Sequence, residues 1–526
     1  MGNNATDKRP AHVSALEPQT LILSVAMAAL SGAICMQIIS KLGITPNTSI
    51  IGAVVAMAIA RVPLEAMRKF RSLERQNIVQ TMTSAAGFGA ANCVLLSVGI
   101  LWVMGETRLI VPMAIGSAIG MLVDMYLVAR TYDTPLFPAS GAWPPGVATA
   151  EAIIAGDEGG KRARRLLEGI VVGAVGSHFG LPMAGVGIVF IANIFAMAAL
   201  GIGLVVRGYS IQLFGVNIGA TYIPHGVMIG AGIVSLIQAA NIIIKGYREQ
   251  SAEREAGTLG TTVSATEIPR AFGMSGVLFL LGAVALALIS GIISSVSVGQ
   301  LIVWLLYATF SALISTVLVG MSAMHSGWFP GFAITVIFLT IGMFLKIPAA
   351  PLALLTGYTT STGPCLADLG YDLKTGWILR GKGKDPDYEI AGRKQQFIAE
   401  AIGGVVALVV VLLFMRMHFD LDLLPPVSRV FATTIGAGAD PSIVRELVLW
   451  AIPGAILQAV GGSGKALGIL FATGLLINNP IYGIGVLAAV VLRLIIGTEP
   501  MEVREAGLIA GDGIYGFVTA LIRTFI

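Results

Sequence analysis

The sequence predicts an all-α, polytopic integral membrane protein with about 14–16 transmembrane helices, several of them broken or re-entrant. Three observations carry that prediction. Of the 526 residues, 56% are apolar and only 12% are charged, where soluble proteins carry about 25%; the mean hydropathy is +0.85. Uncharged apolar runs recur along the whole chain. The cations are gathered into a few short loops. This composition excludes an ordinary soluble globule, a disordered chain and a nucleic-acid binder.

Residues 1–19 are polar and form a tail. The apolar run at about 20–40 is long enough to cross a bilayer and exceeds the apolar stretch of about 7–15 residues in a secretory leader, so it is expected to be retained as a span. Further runs follow at about 48–62, 78–104, 109–129, 167–182, 183–206, 211–223, 224–244, 273–295, 299–320, 329–345, 349–367, 396–415, 427–439, 443–462, 465–478, 480–497 and 506–525. The shorter ones read as half-helices. Residues 20–244 then form a first transmembrane half, 245–272 a basic loop, and 273–526 a second half interrupted by a basic loop at 371–394.

Loops at 61–75, 161–165, 245–270 and 374–394 hold 19 of the 33 Lys and Arg. The positive-inside rule places all four in the cytoplasm, together with the N-terminus. A faint repeat relates the halves. Arg75-Gln76-Asn77-Ile78 opens an apolar run after a basic loop, as Lys394-Gln395-Gln396-Phe397 does later, and Pro224 before Ile229-Gly230 parallels Pro480 before Ile484-Gly485. The two spacings disagree, so the repeat is a weak sign of the paired halves that often enclose a transport path.

Polar groups at membrane depth need a reason. Gln76, Gln80 and Ser84 fall on one helical face, with Asn77 and Thr81 beside it, and such a stripe can line a wet pathway or bind a neighbouring helix. Tyr222-Ile223-Pro224-His225 and Asn478-Asn479-Pro480-Ile481-Tyr482 read as helix breaks, because proline removes a donor and disfavours helix before it. The partial positive charge of a fresh helix N-terminus suits a carboxylate. Thr356 to Pro364 holds Tyr358, Thr359, Thr360 and Ser361 between apolar segments. Asp368 to Thr375 follows and reads as the entry to the basic loop, with Asp372 and Lys374 expected in solvent.

Acidic residues within apolar runs are few: Asp124, Glu400 and Asp512 stand out as candidates to carry a proton, or alternatively as structural partners of a basic residue. The five histidines show no zinc spacing, and Cys35, Cys93 and Cys365 read as small core residues. Gly461 to Ala466 fails as a phosphate-binding loop. Asp368-x-x-x-Asp372 has the spacing of a magnesium-dependent membrane transferase, but no second motif of that spacing accompanies it.

Five stretches, in this order, resemble the oligopeptide transporter (OPT) superfamily, which includes the yellow-stripe-like carriers of metal chelates. They are Gln76 to Gly87, Phe137-Pro138-Ala139-Ser140-Gly141, Tyr222 to Gly230, Asp372-Leu373-Lys374-Thr375-Gly376-Trp377, and Gly507 to Gly513. The resemblance implies a carrier with both termini cytoplasmic that moves peptides or peptide-like metal chelates inward, driven by protons. The family's Gly-Asp/Glu-Gly pattern maps onto Gly511-Asp512-Gly513, and its Asp-Leu-Lys-Thr-Gly signature onto Asp372 to Gly376. The length resembles that of compact prokaryotic-type members.

The expectation is therefore a secondary transporter rather than an enzyme, in the inner (plasma) membrane, using the proton gradient and no cofactor or resident metal. Its partners are the bilayer and a small peptide or metal chelate; a homodimer is left open. The expected substrate-lining set is Gln76, Asn77, Gln80, Thr81, Ser84, Tyr222, His225, Tyr358, Thr359, Thr360, Ser361, Asn478, Asn479 and Tyr482, around one central cavity. Such uncharged polar groups can bind a zwitterion without the desolvation cost of fixed charges.

Overall fold

The computed structural model describes residues 12–42, 49, 52, 53, 56, 57, 65–235, 237, 238, 241, 261–327, 329–437, 442–462 and 465–525. Most of the run at about 48–62, the cations Arg61, Lys245, Arg248 and Arg254, and the tail before residue 12 lie outside them. The described residues form no strand beyond a single bridge between Tyr132 and Phe137.

The helices, in chain order, are α1 (Pro18–Leu42), α2 (Leu73–Val103), α3 (Ile110–Thr131), α4 (Pro144–Glu158), α5 (Gly160–His178), α6 (Met183–Ile191), α7 (Ile194–Gly208) and α8 (Ile223–Ser235). Next come α9 (Glu267–Ser290), α10 (Val298–Ser326), α11 (Gly331–Phe344), α12 (Ala349–Thr360), α13 (Pro364–Leu379) and α14 (Pro386–Asp420). The last are α15 (Pro426–Ala437), α16 (Ser442–Gly461), α17 (Leu467–Leu476), α18 (Pro480–Ile496) and α19 (Arg504–Phe525). Six helical stretches among the described residues, those of α1, α2, α3, α9, α10 and α14, are long and apolar enough to cross a membrane, and shorter apolar helices accompany them. This is the many-span helical architecture that the apolar runs predict.

Local chemistry sets the boundaries. Pro144, Pro364, Pro386 and Pro480 stand in first turns, where a missing N–H costs nothing. Side chains of Asn193, Asp385 and Asn479 accept from backbone N–H groups of the helices they open, and Ser297 forms a capping box with Gln300. Two expected single runs are split. Ala192 and Asn193 separate α6 from α7, and Ser361 to Gly363 separate α12 from α13. The breaks before α8 and α18 occur where the proline pattern puts them.

Residues 144–158 form α4, whose small, weakly apolar residues carry no apolar run. The loop expected at 371–394 is corrected to residues 380–385, since α13 runs on to Leu379 and α14 starts at Pro386, while Arg380, Glu389 and Arg393 find partners inside the protein. Nor is the tail loose where it is described. The Gln395 side chain accepts from the Ala15 N–H at 2.9 Å, and Glu17 pairs with Arg75 at 2.8 Å. That guanidinium holds the Glu17 carboxyl at about 2, so the clasp contributes above the ordinary carboxyl range and fades as pH falls toward 2.

Burial is arranged for lipid. Residues 76–101 of α2, 351–360 of α12 and 364–376 of α13 are all buried, polar ones included. Large apolar side chains such as Leu281, Leu306, Leu413 and Leu494 are exposed on the outer helices. A π-helical turn at Gly89–Leu95 interrupts α2; such turns are frequent at functional sites. Helices α5 and α19 pack through glycines. A Cβ on Gly169 or Gly173 would overlap the backbone of Arg504 or Leu508, and one on Gly507 or Gly511 that of Leu166 or Ile170.

Candidate functional site

The centre of the fold is polar, and three helices build it. On α13, Asp368 and Asp372 are one turn apart and share a face. On α2, Gln80 and Ser84 repeat that spacing and meet them. Gln80 Nε2 donates to Asp372 Oδ1 at 2.6 Å, and Ser84 Oγ donates to Asp368 Oδ1 at 2.7 Å. Ser49 Oγ lies 2.9 Å from Asp372 Oδ1, and Asn77 supports Gln80 at 3.2 Å. The third contribution is Glu400 of α14. Ligand oxygens of Asp368, Asp372 and Glu400 lie within 4.8 Å of one another.

All three carboxyl groups are buried, at 1%, 0% and 0% exposure. Among the described residues, Asp368 Oδ2, Asp372 Oδ2 and both Glu400 oxygens have no geometric hydrogen-bond donor. The cations that follow on α13 do not supply the missing charge. Lys374 Nζ donates to the Ala139 and Gly141 carbonyls at 2.7 and 2.9 Å. Arg380, which ends the helix, pairs with Glu389 and Gln396. Two like charges at 4.8 Å repel by about 3–4 kcal/mol at an effective dielectric of about 20, and burial adds a desolvation cost. Among the described residues no cation pairs with the cluster; protons, or a cation that accepts hard oxygen ligands, would relieve its repulsion.

Beneath this centre lies a buried ion-pair network. Arg380 makes a two-pronged pair with Glu389 at 2.8 and 3.0 Å. Arg393 bonds Glu389 at 2.9 Å, Asp133 at 3.1 Å and Thr262 Oγ1 at 2.6 Å. Two cations and two anions thus balance. Asp372, Lys374, Arg380 and Arg393, expected in a solvated basic loop, are inside the protein; sequence alone does not distinguish a solvated charge from one with a distant partner.

The other expected site residues fall into different places. Gln76 and Thr81 are buried beside the centre on α2. Tyr358, Thr359, Thr360 and Ser361 are buried, and their hydroxyls are engaged: Tyr358 donates to the Phe279 carbonyl at 2.9 Å, Thr359 meets Ser311 at 2.7 Å, and Thr360 and Ser361 donate to carbonyls of their own helix. Tyr222 and His225 pack ring to ring at 5.7 Å at the start of α8. Asn478 and Asn479 are exposed, the latter as a helix cap, and half-buried Tyr482 lies under Gly185 of α6. The α2 and α12 residues are shut away from solvent, so the expected set does not line one open cavity in this state.

Among the expected acids, Glu400 is the one in the central cluster. Asp124 Oδ2 accepts from the Gly363 and Leu366 N–H groups at 2.8 and 2.7 Å, capping α13. Ser177 donates to Asp512, joining α5 to α19. Gly363 has φ +101°, and an added Cβ would lie 2.6 Å from Val319. Gly363→Ala is therefore expected to cost about 2–4 kcal/mol, from backbone strain and overpacking, and to lower the thermal midpoint in detergent. An unchanged midpoint would show that this turn does not fix α13.

Comparison with known proteins agrees with the architecture. The family model described as OPT oligopeptide transporter protein matches residues 17–247 and 220–523. No curated protein and no solved structure matches the chain. With that match running over nearly its whole length, this multi-pass helical membrane chain belongs to the OPT oligopeptide transporter family.

Proposed function

We propose that the protein is a secondary active importer of oligopeptides, driven by protons and working by alternating access, with Asp368, Asp372 and Glu400 as its coupling centre. The observation that carries the proposal is the group of three buried carboxyls from α13 and α14, four of whose oxygens have no donor, and which no cation pairs, among the described residues. Protons entering the centre relieve its repulsion, and their departure restores it. The energy of three close carboxylates is then available to favour one arrangement of α2, α13 and α14 over another.

The interrupted helices support the alternating-access part. Ser361 to Gly363 lie directly before the helix that carries both aspartates, and the breaks before α8 and α18 provide further joints. The occluded α2 and α12 polar residues suit a state closed on both sides, with Gln80, Thr81, Thr359 and Thr360 available to a peptide when α13 moves. The clustered cations support an orientation with the Arg380 end in the cytoplasm.

The test begins with ligands. Di- to tetrapeptides and metal chelates are screened for thermal stabilisation of the purified protein, since a ligand that binds only the folded state raises its apparent stability. Stabilising peptides are then offered to proteoliposomes with the acidic side outside. Peptide accumulation that follows the pH gradient is expected. Accumulation indifferent to the gradient would remove proton coupling, and stabilisation by chelates alone would reassign the cargo to the yellow-stripe-like class.

A further inference from the structure

The carboxyl centre and the ion-pair network are joined by one side chain. Gln396 of α14 is fully buried between them. Its Nε2 donates to the Asp372 carbonyl at 2.5 Å, and its Oε1 accepts from Arg380 Nη1 at 2.8 Å. The two helices face each other with matching polar stripes. Along α13 run Asp368, Asp372, Gly376 and then Arg380, at intervals of four. Along α14, in the opposite direction, run Glu400, Gln396, Arg393 and Glu389. These spacings keep each set on one helical face.

Two glycines clear the space for this contact. A Cβ on Gly376 would overlap Gln396 Oε1 and the Arg380 guanidinium, and one on Gly392 would overlap the Arg380 side chain. The bridge is therefore a built feature of the seam. Asp372 and Arg380 are eight residues apart, about 12 Å along the helix, so they do not touch directly.

We propose that Gln396 is a positioning residue that transmits the charge state of the carboxyl centre to the Arg380–Glu389–Arg393–Asp133 network, and so controls closure of that end of the molecule. The proposal rests on reading the centre as the coupling site. With Glu400 charged, Arg380 is drawn toward the centre and held by Gln396 against Asp372. When the centre is neutralised, that pull weakens. The amide bridge then passes the movement of α13 to the first turns of α14, where Arg393, paired with Glu389, holds the loop residues Asp133 and Thr262.

The experiment is a double-mutant cycle read by hydrogen exchange on the full chain in nanodiscs, over residues 386–394. Glu400→Gln removes the one carboxyl that α14 contributes to the centre and leaves Asp368 and Asp372 in place. Gln396→Glu keeps an acceptor for Arg380 but replaces the donor to Asp372 with an oxygen. In the Gln396 background, Glu400→Gln is expected to lower protection by about threefold or more; in the Gln396→Glu background the same change is expected to have almost no effect. Should Gln396→Glu fail to fold, Gln396→Met removes the bridge without adding charge. Equal effects of Glu400→Gln in both backgrounds would show that the field acts through space and would overturn the link. No effect in either background would overturn it too. Failure of the coupling reading looks different: Glu400→Gln would then leave gradient-driven uptake intact, whatever exchange shows.

Discussion

Glu400→Gln is expected to reduce gradient-driven peptide accumulation by about 10- to 100-fold while leaving the fold intact or more stable. The size follows from the coupling energy that links one site to another, commonly about 1–3 kcal/mol. The stability follows from the surroundings. Among the described residues neither Glu400 oxygen has a geometric hydrogen-bond donor, and the amide removes repulsion from Asp368 and Asp372. A merely structural acid would behave in the opposite way, losing stability and keeping transport. The measurement pairs initial uptake into proteoliposomes with thermal unfolding of the same preparation. Peptide exchange across the membrane with no gradient is expected to survive, because it requires the moving parts but no net proton flow.

The second large effect is on stability. Arg380→Met is expected to cost about 3–5 kcal/mol, because it leaves Glu389 short of a partner inside the protein and Gln396 Oε1 without its donor. Arg380 and Glu389 are 3% and 1% exposed at the side chain, too little for water to substitute. The double variant Arg380→Met with Glu389→Gln leaves Arg393 opposite Asp133 in a neutral remainder. It is therefore expected to recover about 1–3 kcal/mol relative to additivity. Thermal or denaturant unfolding in detergent checks both. If Arg380→Met alone is harmless, the network is not what fastens α13 to α14.

Much of this arrangement is legible in the residues, and the illegible part has a consistent cause. Gln76, Gln80 and Ser84 announce a polar helical face because they repeat every four residues within an apolar run. Glu400 is visible as an acid where acids are rare. The Asp368–Asp372 pair is visible as a spacing, although the charges that follow it suggest a loop where α13 continues to Leu379. What the sequence does not show is that these three stretches meet, since residues 84, 368 and 400 come together through packing alone. The charges of Arg380, Glu389 and Arg393 look like topology signals because each is interpreted with its neighbours in sequence, whereas Asp133 lies about 260 residues away. Helix α4 escapes notice for a different reason: Gly, Ala, Thr and Pro bury well beside another helix without forming an apolar run. At Asn478 and Asn479 the helix break was correctly placed, and the structure makes Asn479 its cap.

The most direct test of the coupling centre follows protons rather than peptide. Vesicles carrying a trapped pH dye, held at zero membrane potential, are given a stabilising peptide on the outside. Wild-type protein is expected to acidify the lumen as peptide enters, and the Glu400→Gln protein to leave the luminal pH unchanged. Peptide accumulating in wild-type vesicles at full rate without any accompanying proton would contradict the account.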